Sequence, residues 1–235
     1  MRTDRWFGPG QDRPFDADGP IPMALPRTAL PIHAGRPRHL EAHLTRLLAG
    51  STALGMEVPW LTGIQTELVA WLAIQVPRTD AALRLVLYPG AARLSARLEP
   101  LLAVPRPYRL KALPHPLQVR RLEAAIVHKG LAGPWSQSVL SAARAAGVED
   151  ALLLWDDGTL AETAIAAVAL EIGQSLIIPP PQGRVASLAE RLELPDWARS
   201  RGLRIEVASL PLPAVHEGRL WCLNALRGIW PAVLP

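Results

Sequence analysis

The sequence predicts an α+β fold built in two parts. Short stretches of strand character are mixed with stretches of helical spacing, and the two kinds do not alternate regularly as they would in a doubly wound parallel sheet. Pro105, Pro107, Pro114 and Pro116 cluster between residues 103 and 117, the sharpest break along the chain. With 235 residues, 49% of them hydrophobic and 20% charged, the chain has the apolar content of a globular protein and the length for one large domain or two small ones. The expected division is a smaller N-terminal α/β domain over residues 1–104, a proline-rich connector over 105–117 and a larger C-terminal domain over 118–235.

Residues 1–20 carry Gly8-Pro9-Gly10 and Asp16-Ala17-Asp18-Gly19-Pro20 and are expected to be loop-like. Ile21 to Ile32 is extended but interrupted by prolines, and Gly35-Arg36-Pro37 reads as a hairpin or a strand-to-helix turn. His39 to Met56 is predicted helical because Leu40, Leu44, Leu47 and Leu48 recur on one face, with Gly50 and Gly55 near the end. Ile64, Leu68, Trp71 and Leu72 mark a second helix over Thr62 to Gln75. Ala82 to Leu87 alternates as a strand and Pro89-Gly90 ends it; Leu94 to Leu102 is a further strand. Beyond the prolines, Pro134 to Ala146 has helical character and Gly147 stops it. Ala151 to Trp155 is an apolar strand, Asp156-Asp157-Gly158 a hairpin turn, and Leu160 to Ala169 the returning strand. Ser175 to Ile178 is a short strand ended by three prolines. Val185 to Arg201 is a helix that Pro195 interrupts, and Leu203 to Ala208 and Trp221 to Leu223 are strands.

Composition removes several function classes. The sequence pI near 10.0 comes with a formal charge of only +4, and the basic residues are scattered with 5% aromatics, which argues against a nucleic-acid stripe. A single cysteine, Cys222, excludes a disulfide framework and a cysteine zinc cluster, and is expected to be a buried small hydrophobe. The six histidines lack metal-ligand spacing, so no metal is expected. No apolar run reaches transmembrane length and Met1 opens a polar segment, not a signal peptide, so the expectation is a soluble, cytoplasmic protein with no membrane partner. Of 25 basic residues only Lys111 and Lys129 are lysines. Arginine supplies charge and hydrogen bonds but cannot act as an amine nucleophile, so a lysine kept in an arginine background is a candidate for amine chemistry.

Four ordered pieces then stand out. They are His39-Leu40-Glu41-Ala42-His43-Leu44-Thr45-Arg46-Leu47 after Gly35-Arg36-Pro37, and Val127-His128-Lys129. Next comes Glu149-Asp150-Ala151-Leu152-Leu153-Leu154 with Asp157-Gly158-Thr159-Leu160-Ala161-Glu162-Thr163, and last Leu223-Asn224-Ala225-Leu226-Arg227-Gly228-Ile229-Trp230-Pro231. In this order and separation, from about Gly35 to the end, the chain resembles the class IV aminotransferases, pyridoxal-phosphate enzymes of fold type IV. That family includes branched-chain and D-amino-acid aminotransferases and 4-amino-4-deoxychorismate lyase. The resemblance implies a cofactor, pyridoxal 5'-phosphate, held in a cleft between the two domains, and a homodimer.

The resemblance makes Lys129 the catalytic amine that forms a Schiff base with the cofactor aldehyde and afterwards moves a proton. Its apolar neighbours Ala124, Ala125, Ile126, Val127 and Leu131 permit the desolvation such an amine needs. Taken alone, Lys129 reads as a solvated strand-end cation. Glu162 matches the carboxylate that holds the proton on the cofactor ring nitrogen; taken alone it is an outward-facing strand glutamate. Arg46 matches the arginine that grips the cofactor phosphate with its planar fork, against the plain reading of one more helix-surface arginine. Asn224 and Ala225 match the strand end that passes beneath the phosphate, and the form Asn224-Ala225-Leu226 resembles the aminodeoxychorismate lyases; an asparagine there equally satisfies a turn. Ala189 and Glu190 fall where the family places its phosphate cup at a helix N-terminus, a contact made by backbone N–H groups.

Departures from the pattern are plain. The family's Glu-Gly-Thr-Ser-Ser-Asn run is here Glu162-Thr163-Ala164-Ile165-Ala166-Ala167, and its Gly-Ile-Thr-Arg cup is Leu188-Ala189-Glu190-Arg191. Arg27-Thr28-Ala29-Leu30 stands where the family has Glu-Thr-Leu-Arg. The expected reaction is conversion of 4-amino-4-deoxychorismate to 4-aminobenzoate and pyruvate, a step of folate biosynthesis. The alternatives are aminotransfer from branched-chain or D-amino acids, and a non-catalytic relic of the fold, which the lost polar residues motivate.

Overall fold

The computed structural model describes residues 3–10, 25–76, 78–88, 91–117, 133–185 and 187–235. The described residues up to Leu102 form one compact unit and those from Ala103 onward another. Lys129 and its expected apolar neighbours lie outside the described residues.

Among the described residues the first unit holds an antiparallel sheet with two helices. Its strands are β1 (Thr3–Phe7), β2 (Arg27–His33), β3 (Arg36–Pro37), β4 (Ala81–Tyr88) and β5 (Arg93–Pro100), in the order β1-β5-β4-β2-β3. Alternation decides the sheet's inner face: Leu83, Leu85 and Leu87 of β4 are buried while Arg84 between them is exposed. Helix α1 (Leu40–Ala53) brings Leu40, Leu44 and Leu47, and α2 (Ile64–Gln75) brings Ile64, Leu68, Trp71 and Leu72, to one core with Phe7, Leu30 and Ile32. Those are the residues whose helical spacing predicted both helices. The turn expected at Gly35 is a hairpin between β2 and β3: Ala34 and Gly35 have φ of 48° and 78°, the pair of positive angles a tight two-residue hairpin requires.

The N-terminal residues differ from the loop expected of them. Thr3–Phe7 is an edge strand paired along β5, from Thr3 opposite Leu98 to Phe7 opposite Leu94. Phe7 is fully buried and packs edge-on against Trp71 at 5.7 Å, so apolar burial outweighs the nearby turn residues.

In the second unit, β6 (Leu110–Pro114), β7 (Asp150–Leu154) and β8 (Leu160–Thr163) form one sheet, with β6 and β7 parallel. The other is ordered β11-β10-β9-β12-β13, from β9 (Ala167–Ile172), β10 (Ser175–Ile178), β11 (Arg204–Val207), β12 (Arg219–Asn224) and β13 (Gly228–Ala232). Period two sorts β7 cleanly. Leu152 joins the core with Val168, Leu170, Leu220 and Cys222 of the larger sheet, while Ala151 and Leu153 pack with Ala143 and Trp135 of the helix Gly133–Ala145. A third cluster joins Ala169, Trp221 and Leu223 to Leu194 and Ala198 of the helix Leu194–Arg199 and to Ala189 of the helix Leu188–Leu192. The two helices are separate, as Pro195 predicted. No helix among the described residues is long and apolar enough to cross a membrane.

Within the stretch 105–117, whose prolines predict a connector, Leu110–Pro114 forms a strand paired along Asp150–Leu154; Pro107 and Pro114 fall before and at the end of it, where a missing N–H costs the ladder little. Arg109 anchors its start: its backbone N–H and Nε donate to Glu149 Oε2 at 2.7 and 3.1 Å, and Nη2 to Oε1 at 2.8 Å. These bonds hold the Glu149 carboxyl down to about 2, against 4.5 for a free glutamate. A depressed acid stabilises the fold above its ordinary value and loses that contribution as pH falls. Glu149→Gln is therefore expected to unfold at lower urea than wild type at neutral pH, with the gap closing as pH drops from 4.5 toward 2.

Candidate active site

Glu162 lies on β8, 4% exposed. Val185 N–H donates to both of its carboxylate oxygens, at 3.2 and 3.3 Å, and His115 Nε2 stands 4.0 Å from Oε1. Glu162 is thus not the outward-facing strand residue that alternation alone allows. Among the described residues no lysine or arginine pairs with it. A buried carboxylate in that setting asks for a cation or a proton donor.

The turn after Glu162 breaks the single strand expected from Leu160 to Ala169. Thr163 Oγ1 accepts the N–H of Ile165 at 3.3 Å and of Ala166 at 2.9 Å, which closes the turn. Asp150, fully buried, secures it from β7: Oδ1 accepts the N–H of Ala164 at 3.2 Å and of Ala151 at 2.8 Å, and Oδ2 accepts Tyr108 Oη–H at 3.2 Å. Burial pushes the Asp150 carboxyl up, with the donors from Thr163, Ala151, Tyr108 and Ala164 opposing. Burial raises the Tyr108 hydroxyl and the Cys222 thiol as well, which fits Cys222 as an inert core residue.

Asn224 ends β12 and reaches the same turn. Its Nδ2 donates to Ile165 O at 3.2 Å, and Oδ1 accepts the N–H of Leu226 at 3.1 Å and of Arg227 at 2.8 Å. Ala225 is half-buried in the loop so formed, which Gly228 closes with φ 73°. The side chain ties the β12–β13 turn to the turn after Glu162. Asn224→Ala is expected to cost about 2 kcal/mol, three half-buried bonds at typical net worth, readable in the urea midpoint.

Ala189 and Glu190 open the helix Leu188–Leu192. Ser187 caps it by accepting Glu190 N–H at 3.3 Å, and Ala189 is buried in the core beneath. The Glu190 carboxylate is turned to Arg184, which donates to it from Nη1 at 2.7 Å and Nη2 at 2.8 Å, and to the carbonyls of Pro180 at 3.0 Å and Pro179 at 2.8 Å. Arg184 is 2% exposed, and the next residue supplies the N–H that meets Glu162. Glu190 therefore contributes backbone, not charge, at this helix start.

Glu162, Asn224, Ala225, Ala189 and Glu190 all belong to the second unit, and hydrogen bonds tie Asn224 to the turn that follows Glu162. Arg46 belongs to the first unit, half-buried on α1 one turn after His43, whose Nδ1 lies 2.6 Å from Thr28 Oγ1. The sequence reading assigned no role to Asp150, Arg184 or His115. No group of three His, Cys, Asp or Glu suited to a metal occurs among the described residues.

Pyridoxal phosphate fits what is here. Glu162 is a buried carboxyl group that no lysine or arginine pairs among the described residues, and the capped start of Leu188–Leu192 carries no opposing free carboxylate, since Glu190 is spoken for by Arg184. Residues 28–234 match the family profile for amino-transferase class IV. Solved structures share the fold. An aminotransferase from Brucella abortus bound to pyridoxal phosphate is 19% identical with a TM-score of 0.79, the match covering 98% of this chain and 90% of that one. The fold IV-transaminase CpuTA1 from Curtobacterium pusillum is 17% identical with a TM-score of 0.78, covering 94% and 83%. A Legionella pneumophila protein provisionally described as a 4-amino-4-deoxychorismate lyase is 16% identical with a TM-score of 0.77, covering 90% and 82%. No curated protein sequence matches the chain.

Proposed function

The chain belongs to the class IV aminotransferase family of pyridoxal-phosphate enzymes, and from that premise we propose that it is the lyase that converts 4-amino-4-deoxychorismate to 4-aminobenzoate and pyruvate. The observation that carries the cofactor assignment is the buried Glu162 carboxylate with no arginine or lysine partner among the described residues. The form Asn224-Ala225-Leu226 supports the lyase over the aminotransferase.

When bound, the cofactor supplies an electron-withdrawing ring that draws charge from a breaking substrate bond. The protein's share is positional. Glu162 holds a proton at the ring nitrogen, because a low-dielectric carboxylate strongly favours a cationic neighbour. Val185 N–H, set by the Arg184 clamp, orients that carboxylate. Lys129 would provide the amine that holds the cofactor, and its Nζ would move a proton to and from substrate. Arg46 and the backbone at Ala189 and Glu190 hold the phosphate, while Asn224 and Ala225 keep the adjoining turn rigid. A cytoplasmic homodimer acting on a small-molecule amine, with no nucleic-acid or membrane partner, completes the proposal.

The test is direct. With pyridoxal phosphate added, the protein is expected to develop a visible absorbance band that borohydride abolishes. It is then expected to release 4-aminobenzoate and pyruvate from 4-amino-4-deoxychorismate faster than it transfers an amino group from D-alanine to 2-oxoglutarate. The reverse ranking makes it an aminotransferase; no band at any cofactor concentration makes it a relic of the fold.

A further inference from the structure

Next to Glu162 lies a histidine that the proposed reaction leaves without a task. His115 follows β6 and is fully buried. Its ring packs against Trp155, with centroids 4.3 Å apart and planes at 32°, and against Trp135, at 5.1 Å and 57°. These indoles fix the ring plane and leave only the question of which edge faces which way. Leu117 N–H settles it by donating to Nδ1 at 3.2 Å; turning the ring over would set a carbon against that N–H and strand a donor. In the neutral ring the proton then sits on Nε2. That atom is buried, has no hydrogen-bond partner among the described residues, and lies 4.0 Å from Glu162 Oε1.

We infer that His115 is a positioning residue acting through Glu162. Its Nε2–H, aimed by Leu117 N–H and the two indoles, holds the Glu162 carboxylate turned to receive the protonated ring nitrogen of the cofactor. The inference rests on the cofactor reading above. At 4.0 Å the contact is longer than a hydrogen bond, a contact between charge and dipole that in a buried site attracts a carboxylate oxygen. Arg184, the other cationic group of the surrounding segment, is committed to Glu190 and to the carbonyls of Pro179 and Pro180. Among the described residues this leaves His115 as the basic side chain that faces Glu162.

Two experiments test it. Nitrogen-15 imidazole spectra of the wild-type apoprotein at about pH 8, where histidine is ordinarily neutral, are expected to show His115 as the Nε2–H tautomer. The Nδ1–H tautomer overturns the inference, and this measurement needs neither cofactor nor activity. In the second, pyridoxal phosphate and its 1-deaza analogue, which carries C–H in place of the ring nitrogen, are titrated by tryptophan fluorescence into wild type, His115→Gln and His115→Leu. Glutamine places an N–H donor near the position of Nε2; leucine offers none. His115→Leu is expected to weaken pyridoxal phosphate about 10-fold, as loss of a supporting hydrogen-bonding group commonly does. His115→Gln is expected to recover that affinity, and the deaza analogue to bind all three alike. Equal weakening of both ligands, no weakening in His115→Leu, or no recovery in His115→Gln overturns the inference while wild-type cofactor binding stands. Absence of wild-type binding instead overturns the cofactor reading. If His115→Leu does not fold, the tautomer decides alone.

Discussion

Lys129→Ala is expected to remove the borohydride-sensitive band and to lower lyase turnover by at least ~10⁴-fold, the scale seen when a covalent catalyst is deleted. Lys129→Arg is expected to do no better. Arginine keeps the positive charge, but its guanidinium stays protonated and cannot attack a carbonyl carbon. This is the sharpest consequence of the chain's composition, in which lysine stands at two positions and arginine at every other basic one. Stopped-flow absorbance and a coupled pyruvate assay measure the two effects, with far-ultraviolet circular dichroism of the apoprotein as the folding control. Full turnover in Lys129→Ala would place the chemistry on another residue.

Glu162→Gln is expected to move activity and stability in opposite directions. The amide oxygen still accepts Val185 N–H, so the local geometry has reason to persist. What is lost is the charge that holds a proton on the cofactor ring, and kcat is expected to fall about 10³-fold, within the range for removing a positioned acid or base. The apoprotein is expected to gain about 1 kcal/mol, because a buried carboxylate that no lysine or arginine pairs among the described residues is costly and a neutral isostere is less so. Loss of turnover with a raised urea midpoint marks a residue kept for function. Loss of both would make Glu162 a structural support, and the cofactor assignment would lose its main physical ground.

Much of the secondary structure is legible locally. Leu40, Leu44 and Leu47 predict α1, and Asp157-Gly158 predicts the turn in which Gly158 N–H reaches Trp155 O at 3.0 Å. What escapes is set by partners far along the chain. Residues Thr3–Phe7 become a strand because β5 lies beside them, and Leu110–Pro114 because β7 does; neither neighbour can be read from the segment itself. The same holds at the site. Glu162 is legible because it sits in an apolar run within a recognisable motif. Arg184, one arginine among many, becomes distinct only when Glu190 and two proline carbonyls bury it. Asp150 stands inside the Glu149–Leu154 motif, yet its task of holding the N–H of Ala164 depends on a turn that the sequence pattern reads as continuous strand. His115 lies among prolines that suggest a tether, and its meaning comes from Leu117 and Glu162.

One covalent bond between this chain and its cofactor is the centre of the proposed chemistry, and a chain with two lysines makes that bond simple to locate. Borohydride reduction of the loaded protein followed by peptide mass spectrometry is predicted to find the phosphopyridoxyl mass on Lys129 and none on Lys111, which is exposed on β6. Modification of Lys111 alone, or of neither lysine, would contradict it.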